Sequence, residues 1–132
     1  MDNTALDLQR KLGLKPDIKA YSLHAPAEYI KLLPPSLPLK GTKELGKSVL
    51  WLQAFYNNKA ELEKDMSQLK RSLAKNGQLW VSWPKKSSGV TTDLSDDVVR
   101  NIGLAAGLVD VKVAAINDTW SGIKFVFRLS DR

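Results

Sequence analysis

The sequence has no cysteine, which excludes disulfides, thiolate metal sites and cysteine nucleophiles together. It has a single histidine, His24, so any histidine-dependent catalytic set would have to be built around that one ring. No stretch approaches the roughly 18–20 consecutive apolar residues that span a bilayer. Residues 1–14 also lack an apolar run of signal-peptide length. These two absences predict a cytoplasmic chain with no membrane partner. Neither a P-loop nor a G-x-S-x-G nucleophile elbow is present, and there is no internal repeat or low-complexity tract.

What is present is the composition of one ordinary globular domain: 132 residues, 43% hydrophobic and 26% charged. We therefore expect a single domain over 1–132. Twenty Lys and Arg against fourteen Asp and Glu leave a net charge of +6, which favours acidic partners without choosing among nucleic acid, small anions and protein. The surplus is concentrated before Gly77, where thirteen basic residues face eight acidic ones.

The pattern alternates strands and helices. A helix is expected over 4–12, capped by Thr4 and stopped by Gly13, then a strand over 18–23 and a short helix over 27–33. Three prolines and two glycines in 34–47 leave room for a loop and a short strand near 39–43. The run VLWLQAF at 49–55 has the continuous apolar character of a strand covered on both faces. Asn58 with Glu61 forms a capping box, followed by a helical stripe of Leu62, Met66, Leu69 and Leu73 that Gly77 is expected to close. QLWVSW at 78–83 is a second buried strand, stopped by Pro84. Asp93 or Ser95 caps a further helix ended by Gly107. Two alternating strands, 109–115 and 123–127, flank the turn Asn117-Asp118-Thr119. Together these predict an α/β, Rossmann-like three-layer sandwich with a mostly parallel sheet closed by a C-terminal antiparallel β-hairpin.

The segment NGQLWVSW at 76–83, the helix after it and the closing hairpin resemble the C-terminal half of a Rossmann-like S-adenosylmethionine-dependent methyltransferase. More closely, WPKKSSG at 83–89, Thr92-Asp93-Leu94 and Trp120-Ser121-Gly122 resemble a family of small bacterial proteins known as a domain of unknown function. The methyltransferase resemblance implies a glycine-rich turn after the first strand and an acid after the second, to hold the cofactor's methionine and ribose ends. Ser22-Leu23-His24-Ala25-Pro26 has no glycine, and Glu44 is the only acid between 33 and 48. The expectation is a truncated, degenerate sheet with no cofactor.

Lys85, Lys86, Ser87 and Ser88 follow a predicted central strand, at the edge where ligands bind in open α/β sheets. Two ammonium groups and two hydroxyls there can hold a phosphate or carboxylate; a solvated surface loop explains them equally. Trp120, beside the hairpin turn, either adds an aromatic surface to those lysines or packs against the sheet end. His24 reads as a general base or as a hydrogen-bonded loop residue. Asp93, Asp96 and Asp97 are accounted for by helix capping and the helix dipole, so no metal site and no catalytic residue is assigned. The leading function is a non-catalytic binding or interaction module, whose partner, an anionic small molecule or a protein, the sequence does not name. The alternatives are a nucleotide-like anion bound or transformed at Lys85–Ser88, with Trp120, and nucleic-acid binding through the basic first half.

Overall fold

The computed structural model describes residues 10–14, 20–26, 37–39 and 41–132. Six strands form one sheet: β1 (Ala20–Leu23), β2 (Leu37–Leu39), β3 (Val49–Phe55), β4 (Leu73–Pro84), β5 (Leu108–Ala115) and β6 (Trp120–Phe127), in the order β2-β1-β3-β4-β6-β5. β2, β1, β3 and β4 pair in parallel, whereas β6 is antiparallel to both β4 and β5. The sheet is thus mixed, not mostly parallel. The last strand does not extend the edge but inserts between β4 and β5, so both members of the final pair run against or beside strands that the sequence orders differently.

Among the described residues, two helices cover one face, α1 (Lys59–Ser72) and α2 (Asp96–Ala105). Each starts where its sequence signal places it. The Asn58 side chain accepts from the Glu61 amide at 2.9 Å, and the Ser95 hydroxyl accepts from the Val98 amide at 3.3 Å. α1 buries Leu62, Met66 and Leu69 against the sheet, and Leu52, Leu79, Val81, Ile123 and Phe125 meet them from below. α1 ends at Ser72, not near Gly77, because Leu73 turns extended and pairs with Val49. The residues expected to finish the helix form an irregular start to β4, where the register slips between Val49 and Trp51. Gly77 belongs to that irregularity: a Cβ there would stand 2.6 Å from the Val49 carbonyl oxygen.

The opposite face carries Trp51, Phe55 and Trp80, covered by Leu12 and Leu14. Both indoles donate to the Leu12 carbonyl, at 2.9 Å from Trp51 and 3.0 Å from Trp80. Gln53 and Ser82, also fully buried on that face, bond to each other at 3.1 Å. One helical layer of the expected three-layer sandwich is therefore seen, and on the other side the described cover is 10–14. Most of the expected helix 4–12, the start of the strand at 18–23 and the whole helix 27–33 lie outside the described residues. In the interval after them stand the three-residue β2 and a single 3-10 turn, Thr42–Glu44.

Gly103, in the middle of α2, lies directly over Phe125, whose ring occupies the space a Cβ would need. Helix propensity favours alanine there by about 1 kcal/mol, but the contact with β6 decides. Gly103→Ala should lower stability by about 1–3 kcal/mol, the usual cost of overpacking a core. Chemical denaturation measures it; an unchanged or raised midpoint would mean that α2 is free to lift from the sheet.

Candidate functional site at the carboxyl edge of the sheet

β1 and β3 are neighbours, yet the chain runs outward from β1 to β2 on one side and from β3 to β4 on the other. That reversal opens a crevice beyond their carboxyl ends, the position where open α/β sheets bind ligands. Two residues that leave these strands meet there, His24 after β1 and Tyr56 after β3. Their rings stand edge to face, centroids 5.6 Å apart at 77°. Tyr56 is buried and donates its hydroxyl proton to Asp65 of α1 at 2.7 Å. His24 Nε2 lies 3.9 Å from the same carboxylate oxygen. Asp65 reaches the crevice because it precedes Met66 on the buried flank of α1.

His24 has φ of 58°, the left-handed region that favours glycine. Its amide donates to the Leu39 carbonyl at 3.2 Å, tying the turn to β2. The turn after β1 thus makes the backbone excursion a glycine would make, but carries an imidazole. Burial, and then the hydrogen bond to Asp65 with the negative charges of Asp65 and Glu61, push the Tyr56 phenol far above its ordinary range. The hydroxyl is a permanent donor at neutral pH, and Asp65 is its acceptor.

The residues singled out in the sequence stand farther along the same edge. Lys85 leaves β4 and donates its amide to the Thr119 carbonyl at 2.7 Å. Lys86–Ser88 form a 3-10 turn closed by Gly89. Ser88 is already engaged: its hydroxyl donates to the Lys85 carbonyl at 2.6 Å and accepts from the Val90 amide at 3.2 Å. Lys86 and Ser87 are exposed and Lys85 half-buried. Trp120 pairs with Pro84 and meets Phe55 edge-on, centroids 5.1 Å apart at 87°. Its ring packs with the Trp51 and Trp80 cluster. A hollow of about 410 Å³ is lined by Asn57, Asn58, Thr91, Thr92 and Asp93. Asp93 accepts from the Lys59 amide at 2.7 Å, so it helps the start of α1 while Ser95 caps α2. Among the described residues no three His, Asp or Glu are grouped to hold a metal ion, and no helix is long and apolar enough to cross a membrane.

Tyr56 and Asp65, which the structure brings together with His24, are not among the residues that the sequence pattern singles out. The available signal was positional: His24 and Tyr56 each follow directly on a parallel strand. The partner carboxylate, nine residues beyond Tyr56, looks like any solvated helix position.

No family model matches the sequence, and no curated protein matches it. Solved structures do share its architecture. It is similar to a SAM-dependent methyltransferase from Aquifex aeolicus, with a TM-score of 0.69 and 13% identity over 92% of this chain and 88% of that one. Magnesium protoporphyrin IX methyltransferase from Synechocystis PCC 6803, with bound SAH, gives 0.66 and 10% over 96% and 81%. A TehB-like SAM-dependent methyltransferase from Corynebacterium glutamicum gives 0.62 and 8% over 95% and 88%. The fold is that of the SAM-dependent methyltransferases. These matches cover 81–88% of the three neighbours named, and both β1 and β2 are in place.

The S-adenosylmethionine that such a fold implies does not fit the described residues. The turn that would approach its methionine end carries the His24 ring, with its amide bonded to β2. After β2 the first acid is Glu44, exposed in the 3-10 turn.

Tyr56 offers a test of the crevice. Its folded-state pKa lies above the unfolded value of about 10, so its stabilising contribution is complete below that pH and is lost as the pH rises above it. Alkaline titration followed by phenolate absorbance should show one component appearing only with unfolding. Tyr56→Phe should remove that component and lower stability at neutral pH by about 1 kcal/mol. Early titration of all three tyrosines would mean that the Tyr56–Asp65 bond does not form.

Proposed function

We propose that this chain is a non-catalytic binding module that uses a methyltransferase-like scaffold without its cofactor. The observation that carries this reading is the turn after β1. A methyltransferase needs bare backbone there; this chain places a histidine in the left-handed position and locks it against Tyr56 and toward Asp65. His24 and Tyr56 pack edge to face at that end of the strands, and the Asp65 carboxylate already serves the Tyr56 phenol. Isothermal titration of the full chain with S-adenosylmethionine and with S-adenosylhomocysteine should give no saturable heat. Micromolar binding of either overturns the reading.

A second reading rests on Lys85, Lys86, Ser87 and Ser88, which follow β4 as an anion-binding loop. Its support is the 3-10 turn itself, since Ser88 holds the loop in shape and leaves both ammonium groups at the carboxyl edge. The Trp120 ring, engaged with Phe55, frames the end of β4 beside it. Thermal-shift measurements with nucleoside triphosphates should show stabilisation that the Lys85→Ala, Lys86→Ala pair abolishes. Equal shifts in both proteins would leave the loop as solvated surface.

A further inference from the structure

The helical face holds a larger opening than the carboxyl edge. A groove of about 880 Å³ runs between α1 and α2, within the range of about 300–1,000 Å³ typical of small-molecule sites. Its floor is apolar: Met66 from α1, Val98 and Ile102 from α2, and Phe127 from the end of β6. A groove flanked by α1 from Lys59 to Arg71 is about 18 Å long at the α-helical rise.

The charge on its rim is uneven. At the end near the start of α1, Lys59 faces Glu63 at 4.0 Å, an ion pair that cancels. At the other end stand Lys70, Arg71 and Lys75, with no acid among the lining residues beside them. Lys75 Nζ lies 4.4 Å from the centre of the Phe127 ring and Lys70 Nζ 6.0 Å from it. Lys75 is there because β4 begins with the irregular stretch that replaces the last turn of α1. Three cations held at one end of an apolar trough, with a neutral far end, match a ligand that has one anionic head and one apolar tail. A peptide helix with acids along its length would leave the Lys59–Glu63 end unmatched, and a nucleic-acid strand would leave the apolar floor unused.

We infer that the groove between α1 and α2 binds a single-tailed anionic amphiphile as a monomer. The carboxylate or phosphate head lies among Lys70, Arg71 and Lys75, and the tail lies along Met66, Val98 and Ile102. This site is separate from the crevice at His24, so the inference stands whether or not that crevice takes S-adenosylmethionine.

The probe is dodecanoate below its critical micelle concentration, titrated calorimetrically into the full chain and followed by amide chemical shifts. The expected result is saturable one-to-one binding with shifts centred on Val98, Ile102 and Phe127. Lys70→Glu with Lys75→Glu should weaken it by about tenfold or more, since both cations become like charges beside the head. Val98→Glu should do the same from the tail side, with circular dichroism confirming that each variant is folded. Dodecanol, which has the tail without the charge, should bind at least about tenfold more weakly. Equal affinity in the wild-type and charge-reversed proteins overturns the inference, as does no binding at all. So does tighter binding to anionic lipid vesicles, or to an acidic amphipathic peptide, than to the free amphiphile.

Discussion

The carbonyl oxygen of Leu12 accepts two hydrogen bonds, one from the indole of Trp51 and one from that of Trp80. These side chains are fully buried on neighbouring central strands, and an indole N–H left without an acceptor in such a place costs about 1–3 kcal/mol. A piece of backbone, residues 10–14, lies across both tryptophans, and the Trp80 indole has a second acceptor in Gln78 Oε1 at 3.1 Å. That piece is fastened at its other side too. Lys11 donates to the Ala115 carbonyl at 2.7 Å, and Lys112 donates to the Lys11 carbonyl at 2.8 Å. Residues 10–14 therefore bridge the centre of the sheet and β5, and the second face is closed by backbone acceptors as much as by apolar area.

Among the described residues, two other regions carry hollows. The carboxyl edge is narrow and polar, and it is filled by a histidine, a tyrosine and an aspartate that serve one another. The helical face has an apolar trough with its cations gathered at one end. The groove on the helical face is lined by residues of α1, α2, β4 and β6 and shares none with the turn at His24.

Much of this organisation is legible in the residues. VLWLQAF gives β3 with the bounds observed, because a run apolar on both faces has few other places to go. Asn58 and Ser95 mark the helix starts since capping is a local interaction over three residues. The end of α1 is different. Leu73 continues the apolar stripe, but its pairing with Val49 competes with one more helical turn and prevails. Nor does a hairpin signal reveal which of its two strands lies next to β4; that depends on the whole sheet. The candidate sites were hidden for the same reason. His24, Tyr56 and Asp65 come from two loops and a helix, while the groove joins Lys75 to Phe127, which stand at opposite ends of β4 and β6 in sequence. Spacing rules see neighbours along a chain, not those created when distant strands and helices pack together.

The insertion of β6 between β4 and β5 also orders events during synthesis. β5 is bonded only to β6 within the sheet, so Leu108–Ala115 emerges from the ribosome with no strand beside it. Its alternating Val111 and Val113 are exposed even in the finished fold. Until Trp120–Phe127 follows, β4 has one open edge and β5 has two, the condition in which strands pair with other chains. The late strand pairs two of those three edges, and the outer edge of β5 remains the edge of the described sheet. Nascent chains on a crowded polysome would be most vulnerable to cross-pairing in that short interval, and Lys112, pointing a charge from the middle of the unpaired segment, stands where it discourages such contact.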